Sequence, residues 1–221
     1  MQISKSTVDI LKNFASINQN ILIKEGNVLT SRTVAKNLFV SAKVDTDFPQ
    51  EFGIYNLNQF LGVLSLFSDP ELELTDKSVI ISQGKNKVQY LFASPDVLDY
   101  PEKAITMPPI DAKFELSEEN LKSLLKAGAV LSSTDLRISG DGETITCTTL
   151  DPKNPSANTF SVEVGETGRT FEAFIKLETL KLISGSYTVS LSSKKITKFE
   201  NSLIAYELYI ANTSDSSWVS A

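Results

Sequence analysis

Histidine is absent from this chain and cysteine occurs once, at Cys147. Without imidazoles or paired thiols, zinc centres, Ser-His-Asp and Cys-His nucleophile pairs and disulfide frameworks cannot be assembled. No metal and no cofactor is therefore expected. No apolar run approaches the ~18 residues of a membrane span. The start, Met1-Gln2-Ile3-Ser4-Lys5, lacks the apolar core of a signal peptide, so a soluble protein of a reducing cytoplasm is expected. Positive charge is in deficit: 21 Lys and Arg stand against 27 Asp and Glu, a net charge of −6. That balance argues against a uniformly basic nucleic-acid binder. It leaves room for positive charge gathered on one surface, because association follows the local field.

What is present is a repeat. The 221 residues suffice for two domains of ~110 residues, each with its own core. A helical stretch followed by three alternating, strand-like runs occurs twice in each half. The helical stretches fall at about residues 5–16, 56–67, 117–131 and 176–184. The first is marked by Ser6 and Asp9, spaced as a capping box, before Val8, Leu11, Phe14 and Ala15. The second places Leu57, Phe60, Leu61, Leu64 and Phe67 on one face, with Asn56 or Asn58 as cap. Ser117 caps the third, where Leu121, Leu124, Leu125 and Gly128 align. Glu25-Gly26-Asn27 reads as a hairpin turn between 21–23 and 28–30. Strands are also expected near 38–44, 71–75, 78–83, 87–93, 134–139, 144–150, 159–165, 186–192, 195–200 and 203–210.

Residues 94–111 carry Pro95, Pro101, Pro108 and Pro109, which exclude regular structure and suggest a connector. The domains are accordingly placed at 1–110, including the connector, and 111–221. The last dozen residues, polar apart from Trp218, read as a tail. The fold class is α+β, with helices on one face of mainly antiparallel sheets.

Lysines recur on three of the four helical stretches: Lys5 and Lys12, Lys122 and Lys126, and Lys181, with Lys176 at the start of the fourth. Lys5 and Lys12 lie two turns apart, and Lys122 and Lys126 form an i,i+4 pair. Such pairs on a polar face are ordinarily solvated surface. Recurrence at equivalent places in a repeat instead suggests a ring whose helices meet phosphates without reading sequence.

Other candidates have plainer readings. Cys147 fits a strand core, and Gly165-Glu166-Thr167-Gly168 fits a turn, lacking the lysine of a phosphate loop. Asp45 with Asp47, and Asp96 with Asp99, read as acidic loops. Tyr90, Phe92, Tyr206 and Tyr209 read as sheet core before base-stacking platform. The connector's Leu98, Tyr100, Ile105 and Met107 could border a partner groove or simply pack the domains together.

Several stretches carry a family likeness: ISKSTVDILKNFASIN (3–18), FGIYNLNQFLGVLSLFSD (52–69), NLKSLL (120–125) and KFE (198–200). With these the chain resembles the DNA polymerase sliding clamps, or processivity factors, of T-even-type bacteriophages. The resemblance implies two similar clamp domains per subunit and a six-domain ring closed as a homotrimer around double-stranded DNA. It implies loading by an ATP-driven clamp loader, tethering of the replicative DNA polymerase, and use by late-transcription factors, all in the host cell cytoplasm. Partners of this family insert a C-terminal peptide near the connector, which implies a role for Leu98, Tyr100, Ile105 and Met107. Lys5, Lys12, Lys122, Lys126 and Lys181 are the DNA-facing positions it implies. Ring closure would pair a strand near 86–93 with one near 159–165 of the next subunit, removing both exposed edges. The competing classes are a non-catalytic viral structural β-rich protein and a small enzyme. The helix-borne lysines disfavour the first, and the lack of a convergent catalytic set disfavours the second.

Overall fold

The computed structural model describes residues 1–219 and divides into two compact units, Met1–Ala104 and Ile105–Ala221. The first unit runs α1 (Lys5–Ala15), β1 (Ile21–Ile23), β2 (Gly26–Arg32), β3 (Leu38–Phe48), β4 (Phe52–Ile54), α2 (Leu57–Leu64), β5 (Glu71–Leu74), β6 (Ser78–Gln83) and β7 (Asn86–Leu91). The β3 sequence alternates: Ala42, Val44, Thr46 and Phe48 point inward, and Lys43, Asp45 and Asp47 point to solvent. Asp45 and Asp47 thus belong to a strand, not a loop.

Pairing corrects one expectation. The segments 21–23 and 28–30 are not a hairpin. β1 pairs antiparallel with β4, and β2 pairs antiparallel with β3. All three residues of β1 are buried, as are all three of β4, so this short ladder sits inside the core instead of at a half-exposed turn. Gly53 makes the ladder possible. Its backbone is so close to a third segment that a Cβ would lie 2.5 Å from the Ala93 carbonyl oxygen. β5, β6 and β7 form a separate antiparallel meander with β7 at its edge. Phe52 links these pieces, edge-on to Phe48 at 5.8 Å and stacked with Phe92 at 4.9 Å.

The second unit repeats the plan with β8 (Ala112–Leu116), α3 (Glu118–Val130), β9 (Asp135–Asp141), β10 (Thr144–Leu150), β11 (Phe160–Glu166), β12 (Thr170–Lys176), β13 (Tyr187–Ser192), β14 (Ile196–Asn201), β15 (Tyr206–Ala211) and β16 (Ser217–Trp218). One sheet has the order β11-β10-β9-β12-β16, and β8, β13, β14 and β15 pair in the order β8-β13-β14-β15. Gly165 and Glu166 fall within β11, beside a register shift opposite Ile145 and Thr146, and the chain bends at Gly168 between β11 and β12. The C-terminal stretch is not a free tail as far as Trp218. Ser217 and Trp218 pair with Glu172 and Phe171, and the indole stacks on the Phe171 ring at 4.5 Å.

The fourth helix does not form. Residues Leu177–Thr179 make one 3-10 turn, after which the chain leaves helical conformation at Leu180 (φ −75°, ψ 63°). Two carbonyls at the end of this stretch, which a helix over 176–184 would leave without internal donors, are met by tyrosines. The buried Tyr206 hydroxyl donates to the Lys181 carbonyl at 3.0 Å, and Tyr187 donates to that of Ile183 at 2.7 Å. An isolated helix of nine residues has little intrinsic stability, so tertiary contacts set the conformation of this stretch.

Candidate nucleic-acid interface

The two lysine-bearing helices are built alike. In α1 the cap is Ser4, not Ser6: its Oγ accepts from the Thr7 amide at 3.1 Å, while Ser6 Oγ donates to Asp45 at 2.6 Å. Thr7, Ile10, Leu11 and Phe14 are buried, so the opposite face must carry Lys5, Asp9 and Lys12. In α3, Ser117 is the cap, accepting from the Asn120 amide at 3.1 Å. Leu121, Leu124 and Gly128 are buried, leaving Lys122 and Lys126 exposed.

The positive field of both faces is moderated by carboxylates. Lys12 Nζ lies 2.9 Å from Asp9, and Lys122 Nζ lies 2.7 Å from Glu118. Glu118 and Glu119 also sit in the first turn of α3, where a helix N-terminus favours negative charge. Exposed pairs of this kind are weak, worth about 0.2–1 kcal/mol. A phosphate can therefore displace the carboxylate without large cost.

The other two positions are uncharged or differently committed. The cap of α2 is Asn56, which accepts from the Gln59 amide at 2.9 Å, and its exposed face shows Asn56, Asn58 and Gln59. Tyr90 closes this end of the helix by donating to the Asn56 carbonyl at 3.0 Å, and burial raises the phenol's pKa. Lys181, expected on a helix, lies just past the 3-10 turn and is exposed. Lys176 bonds instead to Asp135 at 2.8 Å, a carboxylate only 1% exposed, and so neutralises a buried charge.

The connector is partly ordered. One 3-10 turn spans Pro95–Val97, then Leu98 is buried against Gly53. Tyr100 and Met107 are half-buried and Ile105 is exposed. Sequence reasoning missed that Asp99 is held by Arg32, Asn18 and Asn20. The visible signal was Asn18-Gln19-Asn20 directly after a helix, a cluster suited to bonding backbone.

Remaining candidates resolve as structural. Burial pushes the Cys147 thiol up to about 12, which leaves it inert. Tyr206 and Tyr209 are buried in sheet. Lys198 lies between Glu207 at 2.6 Å and Glu200 at 3.0 Å. Desolvation pulls its pKa down, but the two carboxylates outweigh this and hold it above the ordinary lysine value. Among the described residues no cluster of three or more His, Cys, Asp or Glu could hold a metal, and no helix is long and apolar enough to cross a membrane.

The chain has relatives among known proteins. A family model described as DNA polymerase processivity factor matches residues 4–107. The sliding clamp of Vibrio phage KVP40 is 32% identical over 219 residues, covering 96% of this chain and 98% of that protein. The sliding clamp of Escherichia phage RB69 is 30% identical over 216 residues, covering 93% and 95%. The fold is that of A. fulgidus PCNA, solved with the C-terminal region of FEN-1, with a TM-score of 0.72 at 13% identity over 95% of this chain and 96% of that one.

Proposed function

We infer how this chain works from the family to which it belongs, the DNA polymerase processivity factors or sliding clamps. It confers processivity by tethering the replicative polymerase to its template. Three copies close into a ring around duplex DNA, opened and loaded by an ATP-driven clamp loader in the host cytoplasm, and late-transcription factors use the same ring. The chain acts as a tether and performs no chemistry.

The observation that carries this reading is the pair of like helices, α1 and α3, each burying one face and presenting two lysines on the other. Long, flexible ammonium groups attract phosphates as point charges and carry no sequence information, which suits a protein that slides. Closure is supported by two sheet edges. β7 ends the first unit's meander and β11 ends a sheet of the second, and both are largely exposed. An unpaired edge is a template for another chain, and joining β7 of one copy to β11 of the next would satisfy both. Partners dock on the connector through a C-terminal peptide, with Tyr100, Ile105 and Met107 in contact and Leu98 supporting from beneath. A. fulgidus PCNA, which shares this fold, is bound by the C-terminal region of FEN-1, which supports recognition through a C-terminal segment.

Sedimentation equilibrium combined with retention on DNA tests the proposal. The expected outcome is a reversible mass of three chains, loaded protein that stays on circular duplex, and its rapid loss once the circle is cut. A stable monomer at high concentration, or equal loss from circular and linear DNA, overturns it.

A further inference from the structure

The segment following β7 bonds to its own unit at Ala93 and buries Leu98, and its last polar anchor in that unit is Asp99. The Asp99 amide donates to Asn20 Oδ1 at 3.0 Å, and its carbonyl accepts from Asn18 Nδ2 at 2.9 Å. Its carboxylate accepts from Arg32 Nε at 2.9 Å and Nη2 at 2.5 Å, both on Oδ1. The same Asn18 Nδ2 donates to the Arg32 carbonyl at 3.0 Å, and Asn18 Oδ1 accepts from the Asn20 amide at 3.1 Å. Amide, carbonyl and carboxylate of one connector residue are thus held by three side chains, two from the segment between α1 and β1 and one from β2. Asn18 and Asn20 are 5% and 8% exposed, so their amides have little water to turn to. The chain beyond is different: Glu102 to Thr106 are exposed and without regular structure.

We propose that Arg32, Asn18 and Asn20 are positioning residues for partner docking. They fix Asp99 so that Tyr100 and the connector beyond it are presented in a preset path to the polymerase. The proposal rests on the reading that partners dock on the connector. A strap anchored at one end loses less freedom when a peptide binds, which is where preorganisation raises affinity. Arginine suits the task because its planar guanidinium brings two donors onto one carboxylate oxygen in a fixed direction, which a lysine cannot supply. It is one of three arginines in the chain, the others being Arg137 and Arg169.

The test uses the full chain assembled at high concentration, with Arg32→Ala, Asp99→Asn, and the exchange Arg32→Asp with Asp99→Arg. Asp99→Asn is the milder variant, keeping the backbone bonds to Asn18 and Asn20. Hydrogen exchange of the amides at 98–100 reads the clamp itself. Fluorescence anisotropy with a labelled C-terminal peptide of the same phage's replicative polymerase reads docking. Arg32→Ala should speed exchange at Asp99 and weaken the peptide about tenfold, the loss expected when only about a tenth of molecules hold the docking path. Asp99→Asn should give a smaller loss, the exchange variant should recover part of it, and assembly mass should be unchanged. Unchanged exchange, or faster exchange with unchanged peptide affinity, overturns the proposal. A wild-type chain that fails to bind the peptide while exchange still responds to Arg32→Ala overturns the docking reading beneath it, and the positioning role with it.

Discussion

The two units follow one plan, and the second helical position is where their backbones part. In the first, the second helical position is filled by α2, which packs beside α1 and is capped by Asn56. In the second, the matching position holds a single 3-10 turn and an irregular stretch pinned by the hydroxyls of Tyr187 and Tyr206. A repeat in hydrophobic pattern therefore does not guarantee a repeat in backbone. A helical pattern this short yields readily to tertiary contacts, because its own hydrogen bonds start from a costly nucleus. The functional consequence is that lysines sit on regular helices only at α1 and α3.

The largest expected effect breaks the chain along that division. Changing Lys5, Lys12, Lys122 and Lys126 together to glutamate should cripple retention on circular DNA. The salt dependence of association should flatten by about 0.9 log units for each phosphate no longer neutralised. Lys181→Glu, off any helix, should leave both measures near wild type. Circular dichroism should be unchanged in either variant, since all five side chains are exposed. Equal effects from the quadruple and the single change would show that helical placement is irrelevant.

Next come two strand glycines, one in each unit, which should behave alike. A Cβ on Gly53 would meet the Ala93 carbonyl oxygen at 2.5 Å, and one on Gly140 would meet Phe171 at 2.5 Å and the Arg169 carbonyl oxygen at 2.7 Å. Since backbone cannot retreat as a side-chain tip can, alanine at either site should cost about 2–3 kcal/mol. Urea unfolding measures this, with Trp218, the only tryptophan, reporting on the second unit.

Alkaline pH should separate the units again. Burial raises the Cys147 thiol from 9.0 to about 12 and the Tyr187 phenol from 10.0 to about 12. Both groups stay neutral in the fold at pH values where the unfolded chain would ionise them. Their contribution is complete below pH 9 and declines as pH climbs from there to about 12. Both lie in the second unit, so Trp218 fluorescence should change before exchange protection disappears from α1. Simultaneous change would mean the units unfold as one.

How much of this is legible in the sequence follows from the kind of interaction involved. The faces of α1, α2 and α3, the strands, and the caps at Asn56 and Ser117 are readable because they depend on local spacing. The Ser4 cap escapes such a reading because Ser6 fits the same pattern and only the bond to Asp45, 39 residues away, diverts it. The β1–β4 pairing and the Trp218 strand depend on partners distant in sequence, and the fourth helical pattern is too short to hold without such support. The lysines show themselves as charges on helical faces, whereas the Asp99 clamp does not, since it joins residues separated by up to 81 positions.

The smallest effect concerns the two helix glycines, and it sharpens the comparison most. Gly62 in α2 is exposed, and a Cβ there would meet nothing within 4 Å. Gly62→Ala should therefore show the full gain of exchanging glycine for alanine in a helix, about 0.8–1 kcal/mol. Gly128 in α3 is buried, and its Cβ would lie 2.8 Å from Leu177 Cδ1, in the 3-10 turn that replaces the fourth helix. That crowding should cancel the same intrinsic gain, leaving Gly128→Ala neutral or slightly destabilising. Removing the obstacle with Leu177→Ala in the same chain should restore the helix gain at Gly128, seen as non-additivity in a double-mutant cycle by urea unfolding. Strict additivity would mean that α3 and the turn do not constrain each other, and that glycine at 128 is no condition for their close packing.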